Sequence, residues 1–465
     1  MYILRDALEK VKKQEEKRGK IVMKKAALHN LGCKVNAYET EAMQEMLENA
    51  GYEIVPFKEG ADIYIINTCT VTNIADRKSR QMLHRARKMN PDAIVVAAGC
   101  YVQAQDGKEV DPCIDIVLGN NHKKDLIEIL EKYDLKRTAG AAEKRQDEKG
   151  TCTVAEIEDI NKTREYESLH LTKPGDHTRA YIKVQDGCNQ FCTYCIIPYA
   201  RGRVRSREQE DVVNEVKSLA ANGYKEIVLT GIHLSSYGID HDGERHLLDL
   251  IRAVHEVDGI ERIRLGSLEP GIITEEFADA ISGLPKICPH FHLSLQSGCD
   301  ATLKRMNRRY TGAEYYEKCR ILRKYFDNPA LTTDVIVGFP GETEEEFQES
   351  LAFVDKVDFY ETHIFKYSKR EGTKAARMED QIDEQVKAQR SAAMIELGLK
   401  KKEAYERSFI GKTVEVLVEE DEVYEGKTVQ AGHTKEYIKI ALESEENLKN
   451  TIVKVQIEND SQIIR

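Results

Sequence analysis

Apolar positions along the chain fall into three regimes. From Lys24 to about Leu130, short apolar runs alternate with segments of helical spacing: KAALHNL, ETEAMQEMLENAGY, ADIYIINTC, ADRKSRQMLHRARKM, DAIVVAAGC, IDIVLGN and KKDLIEILEKY. Strand-length runs alternating with helices predict a parallel sheet with helices on its faces. A second series runs from TRAYIKVQDGC through KEIVLTGI, ERIRLGSLEP, FHLSLQSG and LTTDVIVGFPG to FYETHIFKYS, with helices predicted near 211–222, 246–257 and 314–325. About six such β/α units are too few for a closed eight-fold barrel and suit an open one. Residues 385–407 carry the pattern of one long helix. Beyond Phe409 the pattern changes to strands broken by turns, KTVEVLVEE, KTVQAGHT, EYIKIAL and NTIVKVQIE, which fits a small β-barrel of about 60 residues.

Two stretches stand outside these regimes. Residues 1–23 place Ile3, Leu4, Leu8 and Val11 at helical spacing on a highly charged background. Met23 opens a run, MKKAALHNLGC, that looks like an ordinary protein start, so residues 1–22 are either native or an upstream extension. Residues 135–175 are polar, with AGAAEKRQDEKG at their centre and KPGDHTR closing them, and predict a linker. The expected division is therefore a helical extension (1–23), an α/β domain (24–134), a linker (135–175), an open-barrel domain (176–404) and a β-barrel (405–465). No repeat at a solenoid period is present.

Composition narrows the setting. Hydrophobic residues make up 41% of the 465 positions, enough for each unit to bury a core, which excludes a disordered or fibrous chain. No apolar run approaches the roughly 18 to 20 residues of a membrane span, and the charged N-terminus lacks the apolar stretch of a signal peptide. The protein is expected in the cytoplasm, with no membrane partner. Eleven cysteines in that reducing compartment do not make a disulfide framework, which directs attention to metal or redox chemistry. Sixty-nine basic against 80 acidic residues, net −11, exclude polyanion binding by bulk charge, so any nucleic-acid site is a local basic patch.

The densest chemistry lies in DGCNQFCTYCIIPYARGRVRSR, where Cys188, Cys192 and Cys195 are spaced C-x3-C-x2-C on the loop after the first barrel strand. Thiolates this close, with no fourth Cys or His at finger spacing, suit an iron-sulfur cluster with one iron left open; a zinc ribbon needs a second pair. Loops at the C-terminal ends of barrel strands are where such enzymes keep their chemistry. A looser set comprises Cys33 in NLGCKVN, Cys69 in INTCTVT and Cys100 in AAGCYVQ. Their linear separations carry no metal signature, but each follows an apolar strand run, so a parallel sheet brings all three to one edge, where ligands of open α/β sheets collect. Taken alone, these three fit buried strand-end thiols equally well. Cys113, Cys152, Cys288, Cys299 and Cys319 lack such a setting and are read as structural or surface thiols.

The triad, with Tyr194 as the aromatic residue of C-x3-C-x-aromatic-C, resembles the motif of the radical S-adenosylmethionine superfamily. The resemblance implies an open iron that chelates S-adenosylmethionine, whose reductive cleavage yields a 5′-deoxyadenosyl radical. It also implies cofactor contacts at Gly231 in LTGIHLSSYG, Ser267 and Glu269 in GSLEP, and Gly338 in DVIVGFPGET. Glycine permits the backbone approach such contacts need, although each segment also fits a strand-ending turn.

LGCKVN, NTCTVT, AAGCYVQ, CNQFCTYCIIPYARG and the terminal β-barrel together resemble the methylthiotransferase family from about residue 24 to 465. This implies a second 4Fe-4S cluster on Cys33, Cys69 and Cys100 that carries the sulfur to be transferred, and a terminal TRAM-like module that binds RNA. NLGCKVN with TCTVTNIADRKSRQ is similar to the branch acting on N6-threonylcarbamoyladenosine in tRNA; branches for isopentenyladenosine and for a ribosomal-protein aspartate typically show GCQMN and GCPKN. In the implied reaction one S-adenosylmethionine methylates the cluster-bound sulfur, a second supplies the radical that takes the hydrogen at C2 of adenosine 37, and the methylthio group is then transferred there. An unactivated aromatic C–H offers no acid or base handle, so a cofactor must carry that chemistry. An electron donor such as flavodoxin or ferredoxin, a sulfur donor and the tRNA anticodon loop are the implied partners.

For tRNA the candidate contacts are Arg201, Arg203, Arg205 and Arg207 in ARGRVRSR, and Lys304, Arg305, Arg308 and Arg309 in LKRMNRRY, basic clusters beside strand-end loops. A solvated helix face is the alternative for the second. Residues 411–465 hold 12 acidic and 7 basic side chains, so an RNA role there rests on resemblance, with Lys427, Lys435 and Lys439 as local exceptions. Without Trp, base stacking falls to Tyr, Phe, His and Arg. Two other classes stay open: methylthiolation of a protein side chain, and a non-catalytic iron-sulfur protein that binds RNA.

Overall fold

The computed structural model describes residues 23–105, 111–138, 154–172 and 178–465. The helix predicted over residues 1–23 lies, apart from Met23, outside the described residues, as does Cys152.

The first series of units forms a parallel six-stranded sheet, β2-β1-β3-β4-β5-β6, from β1 (Lys25–Asn30), β2 (Glu53–Ile54), β3 (Ile63–Thr68), β4 (Ile94–Gly99), β5 (Ile116–Leu118) and β6 (Val154–Glu156). Every residue of β3 and β4 is buried, as strands covered on both faces require. Met43 and Leu47 of α1 (Lys34–Asn49) cover one face. Leu83 and Ala86 of α2 (Asn73–Met89) cover the other, beside the short α3 (Cys100–Ala104). The linker expected over 135–175 is corrected in its second half. Residues 154–156 add the edge strand β6, and Leu169 and Leu171 are buried in the core of the next domain. A short charged edge strand and two isolated leucines leave no periodic signal in the sequence.

The second series forms six parallel strands: β7 (Arg179–Asp186), β9 (Glu226–Gly231), β10 (Arg262–Leu265), β11 (His290–His292), β12 (Ala330–Val337) and β13 (Glu361–Lys366). β7, β9 and β10 are neighbours, β11, β12 and β13 likewise, and the bridges Ile263–Ile287 and Leu268–Leu293 join the two groups. The two-residue β8 (Arg205–Ser206) lies antiparallel to the end of β7. This is the predicted open (β/α)6 barrel. Alternation along its strands sorts the side chains. Ile182, Val184, Ile227, Leu229, Ile263, Leu265, Phe291 and Val335 enter the core beneath the helices. Their neighbours Lys183, Gln185, Glu226, Arg264, His292 and Asp334 therefore face inward. The barrel interior is thus a polar lumen rather than a packed apolar one.

The α/β domain spans the open side of this barrel. α1 packs against β7, and Tyr38 and Ala42 join the barrel's core. At the other edge, Asn73 and Thr70 bond to Ser368 and Arg370 beyond β13.

The third unit is an antiparallel sheet, β16-β15-β14-β17, built from β14 (Thr413–Tyr424), β15 (Lys427–Thr434), β16 (Lys439–Leu442) and β17 (Ile452–Gln456). Val416, Val418, Ile440 and Ile457 form its core, in line with the small β-barrel expected. It docks at the N-terminal ends of the barrel strands. Arg262 donates to the carbonyls of His433 and Glu415, at 2.9 and 2.8 Å, and Tyr437 lies under the guanidinium groups of Arg179 and Arg264. No helix among the described residues is long and apolar enough to cross a membrane.

Candidate metal centres

The three N-terminal cysteines do converge. β1, β3 and β4 are adjacent and parallel, and Cys33, Cys69 and Cys100 follow their C-terminal ends. Two glycines make the convergence possible: a Cβ on Gly32 would lie 2.9 Å from Cβ of Cys69, and one on Gly99 would lie 2.6 Å from the carbonyl oxygen of Thr68; both have positive φ. Asn36, the last residue of GCKVN, stitches the loops together by donating to the carbonyls of Leu31 at 2.7 Å and Thr68 at 2.9 Å. Burial pushes the Cys69 thiol up to about 12, with the Cys100 and Cys33 thiols adding to the rise, so a metal must displace its proton on binding.

The barrel triad sits on the loop between β7 and α4 (Ile197–Arg201). Gly187 opens it at φ 72°, where a Cβ would lie 1.8 Å from the Arg203 carbonyl oxygen. Thr193 holds it to the barrel, its N–H donating to Met306 O and its hydroxyl to Arg305 O. The sulfurs receive donors: Gln190 N–H to Cys188 and Arg308 Nη1 to Cys192, each at 3.4 Å. Burial raises Cys188 to about 11 and Cys195 to about 12, in both cases reinforced by the Cys192 thiol. Three mutually interacting sulfurs with no fourth ligand among the described residues, and with N–H donors aimed at them, fit a 4Fe-4S cluster that keeps one iron open. The N-terminal set fits by the same test, because Arg201 Nε donates to the Cys100 sulfur at 3.1 Å.

Arg201 corrects the RNA assignment of its motif. It is fully buried, donating to both carboxylate oxygens of Glu39 at 2.6 and 3.0 Å and to Asn36 at 2.6 Å. Arg205, beside Asp186, and Arg207, paired with Glu215, are likewise buried, so none of the three can reach a phosphate. Arg203 alone of the four is exposed, stacked 4.5 Å over the Phe191 ring. In the second cluster Arg308 turns inward to Cys192, Tyr310 and the Ser294 carbonyl, and Arg305 pairs with Glu346, leaving Lys304 and Arg309 exposed. Lys427, Lys435 and Lys439 each pair with a glutamate of the terminal sheet.

Gly231, Ser267, Glu269 and Gly338 all lie at or just beyond C-terminal ends of barrel strands. The close approaches at the two glycines are made by protein: a Cβ on Gly231 would meet Gln185 at 2.8 Å and one on Gly338 would meet Lys387 at 2.3 Å. Glu269 accepts from the Gly271 N–H and is felt electrostatically at Cys188. The Tyr194 ring stands edge-on to Phe339, 6.4 Å away.

Sequence reasoning missed several residues of the lumen. His292 and His363 stack at 5.8 Å, beside Phe365, which is 45% exposed. His233 is held down to about 4 by burial and by Arg308, so its ring is neutral near pH 7. Lys34, next to Cys33, keeps an exposed side chain, and desolvation with Arg264 and Arg179 lowers its ammonium to about 8. Inward alternation along the strands could have revealed His292, His363 and Phe365; Lys34 on α1 and His233 beyond β9 carry no such signal.

Both triads fall within stretches matched by known families. The radical SAM superfamily pattern matches residues 182–354, and that of uncharacterized protein family UPF0004 matches residues 25–119. The chain is 42% identical to threonylcarbamoyladenosine tRNA methylthiotransferase MtaB of Bacillus subtilis, over 94% of each protein. It is 41% identical to the protein of that name from Aquifex aeolicus, over 85% of this chain and 93% of that one. A tRNA-2-methylthio-N(6)-dimethylallyladenosine synthase from Alkaliphilus oremlandii shares 37% identity over 97% of this chain and 94% of its own. Among solved structures, the radical S-adenosylmethionine methyltransferase TsrM of Kitasatospora setae, with cobalamin and a 4Fe-4S cluster bound, has the same fold over 74% of this chain and 75% of its own, at TM-score 0.52 and 18% identity. With relatives this similar along both cysteine-bearing domains and the terminal sheet, the chain belongs to the radical S-adenosylmethionine methylthiotransferase family.

Proposed function

We propose that the protein transfers a methylthio group to C2 of N6-threonylcarbamoyladenosine at position 37 of tRNA. The observation that carries this reading is the meeting of the two triads: Arg201 ends the helix that follows Cys195 and bonds to the sulfur of Cys100. Two 4Fe-4S clusters, held by Cys188/Cys192/Cys195 and by Cys33/Cys69/Cys100, supply with S-adenosylmethionine the radical and the sulfur. The chain's own part is placement. Gln190 and Arg308 donate to the barrel sulfurs, and the latter's charge favours their thiolate form. Arg201 does the same work at Cys100 of the other triad and, by donating to Asn36 and Glu39 of α1, holds the two domains in register. Ser267, Glu269 and the turns at Gly231 and Gly338 are the candidate cradle for S-adenosylmethionine.

For the RNA, Arg203 with Phe191 and the exposed Tyr199 forms a cationic and aromatic ledge beside the triad loop, suited to an unstacked anticodon-loop base, with Lys304 and Arg309 available to phosphates. A cytoplasmic reductant and a sulfur donor complete the reaction. The TRAM-like role of the terminal sheet rests on the family resemblance.

Two measurements test the reading. Anaerobically reconstituted protein should hold about eight irons, and alanine at Cys188, Cys192 and Cys195 should leave about four. In tRNA nucleosides analysed by mass spectrometry, methylthiolated threonylcarbamoyladenosine should disappear with the gene and return with the wild-type protein. With alanine at Cys33, Cys69 and Cys100 it should not return, although S-adenosylmethionine is still cleaved. Product from that triple variant, or methylthiolation of isopentenyladenosine tRNA or a ribosomal protein instead, contradicts the reading.

A further inference from the structure

The lumen holds a cation that the protein leaves unsatisfied. Lys34 occupies the first position of α1, directly after Cys33, and its ammonium has no hydrogen bond or ion pair with any described residue. Its placement costs stability twice. A positive charge at a helix N-terminus opposes the helix dipole, where Asp or Glu is favoured. The charges that act on it most are also positive, Arg264 and then Arg179, with Glu226 opposing them. Each of those neighbours has a carboxylate partner. Arg264 donates to Glu226 at 2.8 Å and to the Lys435 carbonyl at 2.9 Å, and Arg179 pairs with Glu419 at 3.1 Å. Glu226 is shared between Arg264 and Arg262, so it has nothing left for Lys34, whose ammonium has no carboxylate partner among the described residues.

We propose that Lys34 receives the carboxylate of an anionic substituent on N6 of the target adenosine, which makes it a specificity-determining residue. This rests on the methylthiotransferase reading above and adds the residue that selects the substrate. The chemistry of the base supports the position. C2 and N6 lie on the same edge of adenine, separated by N1 and C6, so a base whose C2 meets the sulfur carried by the Cys33 triad must extend its N6 substituent along the same wall. A threonylcarbamoyl group ends in a free carboxylate and a hydroxyl; an ammonium one residue from Cys33 is placed to pair with it. An apolar substituent would leave that ammonium buried against the base with no partner, which disfavours it. RNA phosphate is the other anion that could approach, but phosphates flank every tRNA alike, whereas Lys34 stands beside the sulfur-bearing triad.

The test compares binding and turnover of two anticodon stem-loop RNAs, with threonylcarbamoyladenosine and with unmodified adenosine, by the reconstituted enzyme and its Lys34→Met, Lys34→Gln and Lys34→Arg variants. Iron content and reductive cleavage of S-adenosylmethionine are measured alongside. The neutral variants should bind the modified RNA about ten- to a hundred-fold more weakly, the range of a charge-assisted hydrogen bond, and bind the unmodified RNA as before. Lys34→Arg should restore most of the preference, and iron and cleavage should be unchanged throughout. An equal loss on both RNAs would make Lys34 a phosphate contact. A loss of iron would make it a support of the cluster, and no change would make it idle; each of these overturns the inference while the enzyme's reaction stands. If the wild-type enzyme itself does not act on the modified RNA, the functional reading fails first and takes the inference with it.

Discussion

At the scale of single residues, position relative to water decided roles that residue type could not. ARGRVRSR is a basic patch by composition, yet three of its four arginines are buried against Glu39, Asp186 and Glu215, and one of them serves a cysteine sulfur. His233 gives a measurable consequence. Its folded-state pKa of about 4 lies below the ordinary 6.5, so in acid the unfolded chain takes up the proton first. The stability contributed by the neutral ring is complete above pH 6.5 and declines as pH falls toward 4. Thermal melting followed between about pH 7 and pH 4.5 should show a smaller loss in His233→Gln than in the wild type; equal slopes would mean that other groups dominate. The six cysteines of the two triads were legible from their motifs because thiol chemistry is rare and local. Lys34 and His233 were not, because their significance lies in what surrounds them across the fold.

At the scale of elements, the repeated strand and helix signals gave the parallel sheet and the open barrel, and with them the sheet edge where Cys33, Cys69 and Cys100 meet. In the sheet those signals are strong because strands buried on both faces, such as β3 and β4, are almost wholly apolar, and in the barrel because apolar residues alternate with polar ones. β6 escaped notice because three residues at a sheet edge carry no period. The triad loop depends on one glycine that no period marks either. At Gly187 a methyl group would collide with the Arg203 carbonyl in a backbone conformation that already disfavours side chains. Gly187→Ala should displace the loop and lower iron to about half, with the N-terminal centre retained; full iron with intact cleavage of S-adenosylmethionine would show that the loop tolerates the shift.

At the scale of the whole molecule, the two cysteine-bearing domains are joined by buried charge. Glu39 of α1 is fully enclosed and contacts Arg201, Lys183 at 2.8 Å and Lys123 at 3.3 Å, while Asp186 bonds to Lys183 at 2.7 Å. Breaking one member leaves the others charged and unpaired in a medium that solvates them poorly. Glu39→Gln should therefore cost about 3 to 5 kcal/mol, read as a fall in melting temperature; a change below about 1 kcal/mol would mean that water reaches the network. No sequence pattern announced this joint, because Glu39 lies 84 to 162 positions from its cationic partners. The terminal sheet poses a different constraint. With Tyr437 seated beneath Arg179 and Arg264, the end of the barrel opposite the triad loop is stoppered, and the α/β domain bars the gap along its side. Traffic is thereby confined to one doorway. A small cofactor has to be aboard before a bulky nucleic acid settles over the entrance, and its spent fragments have to wait until that guest departs.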